Sequence, residues 1–535
     1  MDSNYWTRRR PVTRRRLLGA AVATGTGAAS LALVGCGSSG NGKKAASTTP
    51  TGSTAAAVRG GTLKVGGQAA LVSPNAPYNY DGPYIPNIYA IWDNLIRYDS
   101  ADLTPVARLA KSWEFNGDKT EITLELRPGL TYHSGAKLDA QSVVDGFKSL
   151  TDPATPVSQV AGVAKAYVDS VAAVDPTHAK FTLKRPGDLI FDMFEYWYVS
   201  NPANIAAIKA GQAPDGSGPF KVTAIKPNQG GTLAKFPDYY DPAVLDGIDY
   251  KQMPNQASMA VALKSGDADI ILDPTYDDSE TLGKSGYDVY TTKSLIGEYN
   301  FGMNTKGEVT KDARLRKALY HCVDRQRIND AVFLSKAHPM NCLWPSSSPA
   351  YEKRYDADPY DLAEAKKLVE AAGFSNGTPD LEVMIGSSDA TNLQIFNIIQ
   401  ASAKQAGINL KVNQVDPTTF SSQFTKGAYP ACFQVRFGFN ALHPDTLFVM
   451  NFQVRLPNSE NFDTPEYQKF QSDIAAAKTT DERKALYQAF NKIWDDEMWV
   501  FLTVSQPDQY IANKKVKNFS LNDFSAPSMA KVGLS

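Results

Sequence analysis

From Gly60 onward the apolar residues of this chain switch repeatedly between a period of two and a period near 3.6, in two blocks on either side of roughly residue 295. In the first block 62–66 reads as an opening strand bounded by glycines, 180–183 as extended, 257–264 as helical and 268–272 as extended again. In the second block 314–322 and 362–372 are helical, 381–385 is a strand, 393–406 a helix and 408–412 a strand. Asp361 offers an N-cap to one of these helices and Gly373 a terminating glycine. Strands interleaved with helices predict α/β layers, and a body of this length is too large for one core and suits two or three lobes.

Local signals refine that picture. Ile88, Ile91, Trp92, Leu95 and Ile96 recur at three and four and predict a helix. Trp113-Glu114-Phe115 and 122–126 alternate across Asn116-Gly117-Asp118, the pattern of a hairpin. Residues 480–495 place Ala485, Leu486, Ala489, Phe490 and Ile493 on one helical face, after which 499–502 runs extended. If the final segment returns to the first block, two strands join the lobes, which permits a hinge and a cleft.

The N-terminus addresses the chain to a compartment. Thr13-Arg14-Arg15-Arg16-Leu17-Leu18 reads as a twin-arginine export signal, 17–35 as its apolar segment, and Leu33-Val34-Gly35-Cys36 as a lipoprotein cleavage box, so the mature chain begins at lipidated Cys36. A retained membrane helix is the alternative, but the Gly and Thr content of 17–35 leaves it weakly apolar. Residues 37–58, almost wholly Gly, Ser, Thr, Ala, Asn and Lys, have nothing to bury and read as a flexible tether reaching roughly 25 Å. The expected location is extracytoplasmic, lipid-anchored at the outer face of the cytoplasmic membrane.

Charge and motif content exclude several classes. The whole chain carries −1, and residues 1–35 hold six Arg against Asp2, which leaves −6 on the mature form. No basic tract follows the signal, so nucleic acid is not an expected partner. There is no Gly-x-Ser-x-Gly elbow, His-Glu-x-x-His pair or Walker loop, and Asp277-Asp278 and Asp495-Asp496 read as polar turn and helix-end residues; an enzyme is not expected. With Cys36 lipidated, Cys322, Cys342 and Cys432 allow at most one disulfide, Cys322–Cys342 closing the shorter loop, with buried free thiols as the alternative.

Several strings then become recognisable: Gly60-Gly61-Thr62-Leu63, Leu126-Arg127-Pro128-Gly129-Leu130-Thr131-Tyr132-His133-Ser134-Gly135 with Leu138-Asp139-Ala140, Gly216-Ser217-Gly218-Pro219-Phe220, Pro237-Asp238-Tyr239-Tyr240, 262–269, Asn304-Thr305 leading into 314–319, and 362–374. In this order, over nearly all of the mature chain, they resemble the extracytoplasmic solute-binding proteins of ABC importers, family 5, whose members bind dipeptides, oligopeptides and nickel. The resemblance implies a two-lobed periplasmic-binding-protein-like (class II) α/β fold. Lobe I would be 60–293 with an extra subdomain at 79–185, lobe II 294–502, and 503–535 would return to lobe I. It also implies a monomer without cofactor that passes a small, peptide-like solute to an ABC permease.

In peptide-binding members an acidic residue four positions before the proline of an aromatic Asp-Pro or Glu-Pro segment pairs with the peptide ammonium. Here 436–445 resembles that segment, and counting back from Pro444 lands on Asn440, an amide without countercharge. Asn440 is therefore a ligand candidate or a turn cap. Arg436 is either a carboxylate clamp or a lobe-bridging arginine. Tyr80 and Tyr84 lie where family members approach ligand, with packing on the subdomain as the alternative. Trp197, within Tyr196-Trp197-Tyr198, stands between cleft lining and core packing, and Asn300 between a ligand amide and a hinge turn. Of the five histidines only His443 is a sensible metal candidate, against a loop histidine; no metal site is expected.

Overall fold

The computed structural model describes residues 60–72, 85–98, 103–152, 159–292, 297–387, 389–438, 442–521 and 529–535. The export signal, Cys36, the tether, Tyr80, Tyr84 and Asn440 lie outside the described residues. Among the described residues no helix is long and apolar enough to cross a membrane.

Two sheets form the body, in the two-lobed α/β arrangement expected from the sequence. The first has seven strands in the order Phe220–Lys226, Gly230–Lys235, Gly247–Gln252, Thr62–Gly67, Ile270–Leu272, Gln509–Ala512 and Asp288–Thr291. Thr62–Gly67 runs parallel to both of its neighbours. The second has six, in the order His338–Pro339, Val500–Gln506, Gly297–Met303, Cys432–Arg436, Asp380–Gly386 and Asn409–Val415. Asp380–Gly386 is parallel to both of its neighbours.

The chain passes between the sheets twice, after Thr291 and after Gln506. The two passages are bonded to each other: Thr292 N–H donates to the Asp508 carbonyl at 2.9 Å, and Asp508 N–H to Thr292 Oγ1 at 2.8 Å. The late strand Gln509–Ala512 then enters the first sheet between Ile270–Leu272 and Asp288–Thr291.

A third, four-stranded antiparallel sheet orders Ala110–Phe115, Glu121–Leu126, His178–Leu183 and Val168–Asp175. Its two middle strands alternate strictly in burial, as expected of a sheet with one face on helices and one in water. Helices Ala140–Thr151, Gln159–Tyr167 and Ile190–Tyr196 belong to this unit, and the first starts from a capping box at Asp139.

The helix expected through Ile96 stops at Ile91, and Asp93–Asn94 and Ile96–Tyr98 become short strands. Polar anchors override the apolar period there. Asp93 accepts from Arg108 Nε at 2.9 Å, Tyr239 Oη at 2.6 Å and Tyr240 Oη at 3.0 Å, while Asn94 Nδ2 donates to the carbonyls of Phe194 and Glu195. A cysteine bridge is absent as well: Cys322, Cys342 and Cys432 are buried free thiols, and burial pushes the first two up to about 12.

The first sheet has its own buried cluster around Leu63, Val65, Ile248, Tyr250 and Tyr510. A second cluster runs without a break from the subdomain (Leu124, Phe181, Phe194) into the second lobe (Phe301, Phe396, Trp494, Trp499). The join is the contact of helix Gln159–Tyr167 with helix Pro444–Met450, so close that a Cβ on Gly162 would stand 2.5 Å from the Val449 carbonyl oxygen. Beside it lies the buried carboxylate of Asp192. Its Oδ1 accepts from Tyr98 Oη at 2.8 Å, and its Oδ2 accepts from Thr446 Oγ1 at 2.5 Å and from His443 N–H at 3.3 Å. Burial pushes Asp192 up to about 6, even though the Thr446 and Tyr98 hydroxyls pull the other way.

Two outcomes follow from this contact. Helix propensity alone favours Gly162→Ala by about 1 kcal/mol, but overpacking against a backbone carbonyl costs about 1–3 kcal/mol, so the variant lowers Tm and loosens the subdomain from the second lobe, as thermal melts and hydrogen exchange at Tyr167 would show. A carboxylate raised in the folded state makes folding take up protons between its ordinary value of 3.8 and about 6, so stability falls as pH rises through that window and the whole cost, about 3 kcal/mol, is present at pH 7. The difference in Tm between wild type and Asp192→Asn therefore slopes between pH 4 and 6 and is flat above pH 7.

Candidate ligand site at the junction of the two sheets

Parallel strands carry their carboxyl ends to one edge, and ligands of open α/β sheets bind outside that edge. In the first sheet this edge holds Gly67 and Asp273; in the second it holds Gly386, Val415 and Arg436. The two edges face each other, because Arg436 Nη1 donates to Asp273 Oδ2 at 3.0 Å across the junction. A second carboxylate, Asp508 in the return passage, pairs with Arg436 Nη2. With its amide oxygen turned toward the guanidinium, Gln506 accepts from Nη2 at 3.2 Å.

Burial on its own would lower the Arg436 pKa, but Asp273 and Asp508 outweigh it and hold the guanidinium firmly charged. The fit leaves no spare room: a Cβ on Gly297 would stand 2.5 Å from Nη2. Asp273 adopts φ +52°, a left-handed conformation costly for any residue but glycine, which turns the chain as it leaves the strand. Tyr276 Oη donates to the Pro507 carbonyl at 2.9 Å and fixes the return passage to the first lobe. Nearby, Asp389 caps helix Ala390–Gln405, and burial pushes its carboxyl up while Arg436 draws it down.

Asn300 lies inside strand Gly297–Met303 and is fully buried, so it forms neither a hinge turn nor an open ligand amide. Its Nδ2 donates to the Phe437 carbonyl at 2.5 Å and to the Glu298 carbonyl at 2.9 Å, while Phe437 N–H donates to Glu298 O at 2.9 Å. These bonds fix how the segment beyond Arg436 departs from its strand. Asn451 Nδ2 holds the next carbonyl, Gly438 O, at 3.3 Å.

The other sequence candidates occupy structural positions. Trp197 is 3 % exposed, with Phe147 and Phe181 rings 6.2 and 6.3 Å away, inside the subdomain core. His443 is the N-cap of helix Pro444–Met450: its Nδ1 accepts from Asp445 N–H at 3.3 Å, and burial lowers its pKa. Among the described residues no cluster of His, Cys, Asp and Glu is placed to hold a metal ion.

Sequence reasoning missed Asp273 and Asp508, whose importance comes from lying opposite Arg436 after separations of 163 and 72 residues. It also missed the aromatic bed beside the 437–438 segment. Phe437 packs 5.6 Å from Phe424 and 6.0 Å from Phe452, and the Arg455 guanidinium lies 4.2 Å from the Phe452 ring centre. A crowd of Phe between 420 and 452 was the available signal, but no single period marks it.

Comparison with known proteins bears on this junction. Residues 104–455 match the family model described as bacterial extracellular solute-binding proteins, family 5 Middle. The glutathione-binding protein GsiB of Pectobacterium atrosepticum is 24% identical over 442 residues, covering 78% of this chain and 83% of that protein. Among solved structures, the Helicobacter pylori periplasmic binding protein DppA in complex with peptide STSA superposes with TM-score 0.76 at 21% identity, covering 89% of this chain and 98% of its own. The dipeptide-binding protein of Pseudoalteromonas sp. SM9913 in complex with Met-Leu gives TM-score 0.78 at 19% identity, covering 89% and 100%. With its two facing sheets and a model match over most of its length, the chain belongs to the bacterial extracellular solute-binding proteins, family 5.

Proposed function

We propose that this protein is the lipid-anchored receptor of an ABC importer, and that it takes a small peptide or peptide-like solute between its lobes and delivers it unaltered to the permease. The supporting observation is the meeting of two carboxyl edges across a junction that only two passages of chain cross. Such an arrangement can open and close on a solute that touches both edges. The peptide-like class is supported by relatives named for glutathione, for the peptide STSA and for Met-Leu.

In this reading lobe I spans 60–293 with its subdomain at 79–185, lobe II spans 294–502, and 503–535 returns to lobe I. Tyr80, Tyr84 and Asn440 belong to segments that adjoin the junction in sequence, after the Thr62–Gly67 strand and after Arg436. Asn440 contacts the solute without the countercharge an ammonium would favour. Arg436 bridges the lobes, and His443, Trp197 and Asn300 support the walls rather than touch the solute. The protein works as a monomer without cofactor or nucleic acid. Twin-arginine export and lipidation at Cys36 hold it at the outer face of the cytoplasmic membrane, where two or more acyl chains give lasting attachment that one does not.

Two measurements check this. In a thermal-shift screen of dipeptides, oligopeptides, oligosaccharides and nickel, a peptide at 100 times its Kd should stabilise the protein by about 2.7 kcal/mol; a response to glycans or nickel alone removes the peptide assignment. In cells, Cys36→Ser should abolish labelling by a fatty-acid probe and shift the protein from the membrane to the soluble fraction, whereas labelling that survives the change removes the lipoprotein assignment.

A further inference from the structure

Among the described arginines that are not fully exposed, each but Arg455 has either a hydrogen-bond acceptor or a carboxylate acting on it. Arg108 has Asp93, Arg185 and Arg483 have Asp445, Arg316 has Glu497, Arg354 has Asp495 and Arg436 has Asp273. Arg325 donates to the carbonyls of Met340, Val323 and Leu502, Arg127 to that of Arg108, and Arg97 acts on Asp93 and Glu195. Arg455 is half-buried and its Nε is shut off from water without an acceptor. Its pKa is lowered by burial, with no charged group opposing the fall. Its one aromatic partner is the Phe452 ring beneath it.

A guanidinium stripped of water and given no anion is an expensive arrangement, since a buried charge ordinarily persists only when paired. Its location gives that cost a purpose. Phe452 packs on Phe437, the first residue beyond Arg436 at the carboxyl edge, and Asn451, four residues before Arg455, holds the Gly438 carbonyl. A ring under one face of a guanidinium leaves its edge free for two-point contact with a carboxylate. Arg436 cannot serve in this way, because Asp273 and Asp508 already engage it.

We infer that Arg455, stacked on Phe452 beside the 437–438 segment, receives a carboxylate of the bound solute, which makes the cargo an acidic or free-acid peptide-like molecule. This rests on the solute-capture reading above and sharpens it. The carboxylate comes either from a peptide C-terminus or from an acidic side chain, and the two sources are separable.

The test is calorimetric titration of the full chain in detergent, for wild type, Arg455→Gln and Arg455→Lys. The probes are glutathione, a tryptic casein digest, Ala-Ala, Ala-Glu, their C-terminal amides, and citrate as a non-peptide carboxylate. Wild type should bind free-acid peptides, Arg455→Gln should lose at least tenfold in affinity, and Arg455→Lys should lose less. If amidation abolishes binding of Ala-Ala and spares Ala-Glu, either carboxylate suffices; if it abolishes both, the C-terminus is the source. Removing an unpaired, dehydrated charge should leave the Tm of the empty protein unchanged or higher, whereas an arginine with a purely structural role would lower it.

Equal affinity of wild type and Arg455→Gln for free-acid peptides would overturn the inference and leave the peptide reading standing. So would equal binding of all free acids and amides. Binding of citrate alone, dependent on Arg455, would uphold the inference and remove the peptide reading. Binding of none of these probes by wild type would overturn both.

Discussion

A single guanidinium at the meeting of two sheets governs how the halves of this molecule stand to each other. Arg436 ends a strand of the second sheet, and its partners Asp273 and Asp508 belong to the first sheet's edge and to the return passage. Dehydrating such a charge costs several kcal/mol unless its geometry is satisfied, and the surroundings are arranged for that: two carboxylates, the Gln506 amide, and a glycine at 297 where any side chain would collide. Asp273 holds a left-handed backbone to bring its carboxylate there. The ion pair fixes register between the lobes more than it adds stability.

On the far side of the second lobe the contact is of another kind. Helix Gln159–Tyr167 meets helix Pro444–Met450 through an apolar seam, and the buried clusters of subdomain and second lobe merge there. The segment between Arg436 and Pro444 is thus held at both ends. At its start, Asn300 and Glu298 grip Phe437; at its end, His443 caps a helix and donates its N–H to Asp192 of the subdomain. Whatever touches this segment is coupled through short bonds to both lobes.

Much of the architecture was legible in the sequence, because periodicity is a local property. The hairpin around Asn116-Gly117-Asp118, the helices at 313–321 and 480–497 and the late return strand all stand where the apolar pattern placed them. The helix through Ile96 misled because Asp93 and Asn94 are claimed by Arg108, Tyr239, Tyr240 and two carbonyls, most of them over a hundred residues away. The same limit applies to the site. Arg436 was visible as a residue with two possible roles, but choosing between them required knowing that Asp273 and Asp508 converge on it. Arg455 carried no sequence signal, since its distinguishing property is the absence of a partner that only coordinates can establish.

A receptor that must both hold and release its cargo needs lobes whose contacts with each other do not decide the matter alone. Shifting a population from 1:99 to 99:1 takes about 5.5 kcal/mol of differential binding, so contacts between empty lobes worth much more than that would lock the molecule shut. The seam at Gly162 and the Arg436 bridge favour contact, while the dehydrated Asp192 carboxylate within the seam opposes it at neutral pH. A buried charge that looks like a defect in packing therefore tempers the seam. Arg455 follows the same logic on the solute side: a cation left unpaid in the empty protein is relieved only when an anion arrives, so relief of its dehydration adds to binding and sets the molecule's preference for what it encloses.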